Sequence, residues 1–231
     1  TDVLINPNII SRKHHYHTSP STLKLLGPEF LIFREEFTQI SRDKKPAKDR
    51  NNLLLILGNA DKNHLTSYFL KVLPHFNFPL NKINIVVGSL NPEIDLIKKL
   101  FSSLDYPDKE IHIDTDEIIS LYEETNLAIT AAGMAMWEMA LFRIPQMVIA
   151  SSTREKEYTE YLDDLSFIKM LGTFNKLPDP KELSNKINEL VNSKILNKLH
   201  LNDFRNCINP HGIHHIVEKI LIKIYTNHTV K

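Results

Sequence analysis

From Leu53 onward the chain alternates short, unbroken apolar runs with stretches of helical spacing. Leu53 to Leu57, Ile83 to Val87, Ile111 to Ile113, Leu127 to Thr130 and Met147 to Ala150 have strand length. Between them, Leu65 to Leu73, Pro92 to Leu104, Ile118 to Glu123 and Met134 to Phe142 read as helices. Tyr158 to Phe167 also reads as a helix, Lys169 to Leu171 as a candidate sixth strand, and the chain from Pro180 as helical. Strands separated by helices mean βαβ units and a parallel sheet. Unbroken apolar strands are what burial on both faces requires. Right-handed crossovers then restrict the topology to a doubly wound α/β sheet.

The pattern before Leu53 is different. Asp2-Val3-Leu4-Ile5-Asn6 predicts a short buried strand ended by Asn6-Pro7-Asn8. Residues 11–22 are polar and rich in His, Ser, Thr and Pro, so they read as loop. A short apolar segment, Phe30 to Phe33, precedes a charged linker from Ser41 to Asn52 that contains Pro46. A boundary near residues 38–50 is the natural reading, dividing the chain into residues 1–40 and 41–231.

Composition narrows the function. With 231 residues and 42% hydrophobic positions, the chain can bury a substantial core. Lys+Arg and Asp+Glu are both 28, which argues against a general nucleic-acid binder, since that needs a basic excess. Any anion site must be local and made largely of backbone N–H groups. The single Cys207 allows no intrachain disulfide and fits a reducing, cytoplasmic setting. No apolar run approaches the length of a membrane span, and the first residues carry no basic start of a signal peptide. The absence of an initiating Met leads us to expect a piece of a longer protein.

Open α/β sheets bind ligands beyond the carboxyl ends of the strands, where the strand order reverses. For a Rossmann-like order of 3-2-1-4-5 that point lies between the first and fourth strands of the domain. Gly58-Asn59-Ala60-Asp61 and Thr130-Ala131-Ala132-Gly133 meet there. Both turns let a ligand approach the backbone, and the second opens a helix suited to a phosphate. Each is equally an ordinary tight strand-to-helix turn when taken alone. Glu138, five residues after Gly133, is either a partner for a ribose diol or a solvent-facing carboxylate favoured by the helix dipole. Trp137 beside it reads as core. His14, His15, His17, His211, His214 and His215 read as surface imidazoles; His211 and His215 have i, i+4 spacing but lack nearby ligands, so no metal is expected. The sequence has no Walker-type loop and no Gly-x-Ser-x-Gly elbow.

At these loops the chain resembles a family of hydrolases that remove UDP from a 2,4-diacetamido-2,4,6-trideoxy sugar in pseudaminic acid biosynthesis. That family has two Rossmann-like lobes, like the lipid-II-forming N-acetylglucosaminyltransferase and other GT-B enzymes. Asp2 to Asn6 looks like the last strand of its first lobe, and Leu26 to Phe37 like its crossover. Leu57 to Thr66 is similar to its Gly-Gly-Ser/Thr-Asp loop and following helix. Asn126 to Pro145 is similar to its strand, Ala-Gly turn and Trp-Glu helix, and Asn209 to Leu221 to its closing segment.

The resemblance implies the C-terminal lobe of a GT-B-type enzyme that holds UDP or a UDP-sugar without a cofactor. It implies substrate-binding roles for Gly58, Asn59, Asp61, Ala132, Gly133, Met134, Glu138, Ser152 and Thr153. The catalytic His of the family lies in a Gly-x-Gly-His turn of the first lobe. Nothing here matches it, so an N-terminal lobe outside this chain is the implied partner and catalytic residues are expected here at none of these positions. Of the family loop only Gly58 and Asp61 remain. Met134, Ala135 and Met136 replace hydroxyl residues, and Ser152-Thr153 replaces an Asn-Gln pair that contacts the sugar. The alternatives are a GT-B glycosyltransferase lobe and a non-catalytic nucleotide-sugar-binding domain.

Overall fold

The computed structural model describes residues 1–40 and 51–229. Most of the linker expected at Ser41 to Asn52 lies outside the described residues. Among those described, residues 1–40 and 202–229 form one compact unit and residues 51–201 the other.

The larger unit holds six parallel strands: β3 (Asn52–Ile56), β4 (Lys82–Val87), β5 (Lys109–Ile113), β6 (Leu127–Ala131), β7 (Gln146–Ala150) and β8 (Lys169–Thr173). Their order is β5-β4-β3-β6-β7-β8. This is the doubly wound order expected from the sequence, extended by the sixth strand. The chain returns to the centre between β5 and β6, so β3 and β6 flank the reversal, with Ile56 opposite Thr130.

Alternate residues of each strand feed opposite faces. Leu53, Leu55, Ile83, Ile85, Ile129, Met147 and Ile149 pack with α1 (Leu65–Val72), α2 (Ile94–Ser102) and α6 (Pro180–Asn192) through residues such as Phe69, Ile97 and Ile187. Leu54, Ala128 and Val148 are equally buried on the other side. There lie α3 (Ile118–Glu124), α4 (Met134–Leu141) and α5 (Thr153–Asp164). Each fully buried aliphatic side chain contributes roughly 1.5–3 kcal/mol. Amphipathic spacing therefore predicts the helices well, and α5 alone begins notably earlier than expected. Ser152 caps it by accepting from the Glu155 backbone N–H at 3.2 Å, while Glu155 Oε2 reaches back to the Ser151 N–H at 2.6 Å. This is a variant of the capping box, readable as Ser-x-x-Glu, in which the return bond goes to the residue before the cap.

The smaller unit has two parallel strands, β1 (Val3–Asn6) and β2 (Leu23–Leu26), in register from Val3–Leu23 to Asn6–Leu26. The sequence pattern did not expose β2, because a four-residue run directly after a polar loop has too little periodicity to read. Short 3₁₀ turns cover 28–30 and 35–39. Helices α7 (Leu201–Asn206) and α8 (Gly212–Thr229) follow. Ile216 and Ile220 of α8 pack on Leu25 and Phe30. A β-carbon at Gly212 would stand 2.0 Å from the Leu31 carbonyl oxygen, so the start of α8 is pressed against that segment. Among the described residues no helix is long and apolar enough to cross a membrane.

Candidate functional site

The two expected turns leave neighbouring strands at the reversal and begin side by side. Gly58 follows β3 with φ +100°, a conformation that L side chains rarely adopt, and is exposed. Asn59 is exposed, and its Oδ1 accepts from the Leu90 N–H at 3.4 Å, which brings the turn after β4 against it. Gly88 makes that approach possible: a β-carbon there would lie 2.4 Å from the Asn59 Cα.

Asp61 is buried, and both of its carboxylate oxygens are engaged. Oδ1 accepts from the Leu65 N–H at 2.9 Å and Oδ2 from the Thr66 N–H at 2.7 Å. The carboxylate therefore caps α1 and fixes the first turn.

On the second turn, Ala132 is buried and its N–H donates to the Ile149 carbonyl at 3.2 Å. Gly133 caps α4 with ordinary extended backbone, and a β-carbon on it would meet nothing within 4 Å. Open space therefore lies directly before the helix. Met134 is 41% exposed at the first helical position. The N–H groups of Met134 and Ala135 have no acceptor among the described residues, as the first turn of a helix leaves them. They supply both the donors and the positive end of the helix dipole.

Glu138 is neither solvent-facing nor on the crevice-facing first turn. It is 8% exposed, and its Oε2 accepts from the Tyr122 hydroxyl of α3 at 2.9 Å. Tyr122 in turn packs edge-on against Phe142 at 5.5 Å. Trp137 is buried, as expected. Ser152 is used as the cap of α5, and Thr153, the first residue of that helix, is exposed. These two sit one strand further along, beyond β7.

Two side chains that the sequence reading missed tie this end of the sheet together. Asn63 Nδ2 donates to the Ser151 carbonyl at 2.7 Å, linking the first turn to the end of β7. The Tyr158 hydroxyl of α5 donates to the Ala132 carbonyl. Burial, then the charge of Glu155, pushes the Tyr158 hydroxyl well above its ordinary pKa, so it remains a donor. Neither residue lies in a motif; only a helix beginning at Ser152 would have placed Tyr158 two turns in.

A pocket of about 250 Å³ opens at the other end of the strands, between Asn51, Leu127, Pro145 and Val191, and is lined by no charged side chain. His215 stacks on Phe30 at 4.9 Å, and no group of three or more His, Cys, Asp or Glu suited to a metal occurs among the described residues.

The sheet order, the capped helix at the reversal and the parallel six-stranded layer define one lobe of the GT-B glycosyltransferase fold. MurG of Acinetobacter baumannii superposes with a TM-score of 0.62 at 17% identity, over 88% of this chain and 57% of that one. MnaA of S. aureus, solved with UDP, superposes at 0.57 and 16% identity, over 80% of this chain and 49% of that one. In sequence, an uncharacterized protein of Methanocaldococcus jannaschii is 27% identical over 173 residues, covering 71% of this chain and 36% of the relative. The spore coat polysaccharide biosynthesis protein SpsG of Bacillus subtilis is 22% identical over 180 residues, covering 78% and 52% respectively. The chain thus spans between about a third and about half of the curated relatives it matches. No family model matches.

Proposed function

We propose that this chain is the nucleotide-binding lobe of an enzyme that cleaves UDP-sugars by attack of water, acting in the cytoplasm on a sugar destined for a cell surface. The observation that carries the reading is the pair of adjoining turns at the strand reversal, with open space before α4 and the Met134 and Ala135 N–H groups facing outward without acceptors. Such a helix start suits a diphosphate. The resemblance to a UDP-sugar hydrolase family, the UDP in the MnaA co-structure and the polysaccharide role in the name of SpsG support it. In this reading an N-terminal lobe supplies the general base and the other wall of the cleft, and the present lobe binds and orients the nucleotide. Gly58, Asn59, Ala132, Gly133 and Met134 line the phosphate end. Asp61 holds the first turn in shape, and Ser152 and Thr153 lie toward the sugar. The reaction needs no metal.

A second reading has a specific observation in its favour. The superposed structures include MurG and several glycosyltransferases, and the same lobe serves transfer to an acceptor as well as hydrolysis. A thermal-shift screen of UDP, UDP-sugars, CMP, GDP and ADP tests what both readings share. At about 100 times its dissociation constant a ligand adds about 2.7 kcal/mol of stability. UDP and UDP-sugars should raise the melting temperature, and no shift with millimolar UDP would sink both.

A further inference from the structure

The start of α5 does more than begin a helix. Within two turns of its cap it touches the two loops that flank the reversal. Its preceding residue, Ser151, accepts from Asn63 Nδ2 of the first turn at 2.7 Å. Ser151 is itself held by Glu155 Oε2, through its N–H at 2.6 Å and its hydroxyl at 2.7 Å. Further along the helix, the Tyr158 hydroxyl reaches the Ala132 carbonyl. That carbonyl belongs to the peptide that enters Gly133, the cap of α4. A trans peptide is rigid, so fixing its carbonyl fixes the plane from which α4 starts and the direction of the N–H groups that follow.

We infer that Tyr158 and Asn63 are positioning residues: a clamp at the start of α5 that holds the Met134 and Ala135 N–H groups in line for a diphosphate. The inference rests on the nucleotide reading above and adds residues that neither touch the ligand nor belong to either turn's glycine-bearing motif. Preorganised donors bind an anion better than mobile ones because less freedom is lost on binding. The clamp should therefore matter to the phosphates and not to the nucleoside. A residue that merely stabilised the fold would affect both alike, or neither.

The test uses Tyr158→Phe and Asn63→Ala, each checked for a cooperative melt, with UDP followed by calorimetry and uridine by NMR titration. UDP affinity should fall by about tenfold, comparable to one net hydrogen bond, while uridine affinity stays unchanged. That split in either variant supports the clamp. Variants that both bind UDP as the unaltered chain does, or that lose UDP and uridine equally, overturn it while leaving the nucleotide reading intact. Failure of the unaltered chain to bind UDP overturns the nucleotide reading and, with it, the clamp.

Discussion

The Tyr122 hydroxyl donates to Glu138 Oε2 across 2.9 Å, joining α3 to α4 on the face of the sheet opposite α1. Both residues are buried, at 1% and 8% exposure. A carboxylate in such a place depends on its donors. Tyr122→Phe keeps the ring against Phe142 but removes a hydrogen bond to a charge-bearing group, so it should lower stability by about 1.5–3 kcal/mol. Urea unfolding of the two proteins measures this; a loss below about 0.5 kcal/mol would mean that Glu138 is satisfied without Tyr122.

The two turn glycines should respond in opposite ways. At Gly133 a β-carbon meets nothing within 4 Å and the backbone is ordinary, so Gly133→Val should cost no more than about 1 kcal/mol, from the poorer cap alone. The same side chain fills the space before α4, so UDP binding should be lost. At Gly58 the space is equally open but φ is +100°. Gly58→Ala should therefore cost about 1–2 kcal/mol through the backbone alone. Thermal melts and UDP calorimetry of both variants separate access from strain; a large stability loss in Gly133→Val would show that the turn is tighter than its geometry.

Asp61 should behave as a structural cap. Removing both of its hydrogen bonds in Asp61→Ala leaves the Leu65 and Thr66 N–H groups without their acceptor and should cost about 1–2 kcal/mol. Asp61→Asn keeps one acceptor oxygen and should cost less. If Asp61 instead contacts ligand directly, the Asn variant would keep its stability and lose UDP affinity, which calorimetry would reveal.

These residues show what a sequence makes legible. The parallel sheet, its order and the reversal between β3 and β6 follow from apolar runs and handedness, because burial on both faces leaves few other patterns. The two turns followed from the same logic. What the pattern could not carry was the direction of individual side chains. Asp61 reads as a loop carboxylate until its distance to two backbone N–H groups is known. Glu138 reads as a ribose partner or a solvent-facing carboxylate until Tyr122, sixteen residues away in sequence, is seen bonded to it. Tyr158 is anonymous within a charged helix whose true start, at Thr153, the apolar pattern did not show. The strand β2 escaped for a different reason: its parallel partner lies beyond a polar loop, and four residues carry almost no period.

The proposed function divides catalysis between two lobes. The nucleotide reading leaves the general base outside this chain, and such a group contributes roughly 10²- to 10⁴-fold. The isolated chain should therefore bind UDP-sugar while releasing little UDP, and adding the proposed N-terminal lobe in cis should restore turnover. Rapid UDP release by the 231-residue chain alone would place the chemistry on residues of this lobe.

The ribose contact implied by the resemblance is tested at Glu138, which is buried beside Tyr122 and not on the first turn of α4. It lies just past the first turn of a helix whose start faces the proposed phosphates, so one element would fix both ends of the ribose diphosphate. Tyr122 already bonds one oxygen of this buried carboxylate, so a ribose diol would have to reach a group that is held in the fold. Hydrogen bonds from a ribose diol to such a group are worth about 1.5–3 kcal/mol. Glu138→Gln preserves shape and leaves an oxygen for Tyr122 but replaces the other with a donor, and should weaken UDP by roughly ten- to a hundredfold. Because the site is buried, Glu138→Ala should also lower stability, which makes the Gln variant the cleaner probe. Titrating the normal protein and Glu138→Gln with UDP and with 2′-deoxy-UDP isolates the contact. If Glu138 grips the diol, the deoxy ligand loses affinity for the normal protein and much less for the variant. Equal losses in both proteins would mean that the carboxylate serves Tyr122 and the packing of α3 on α4, and that the ribose is held elsewhere.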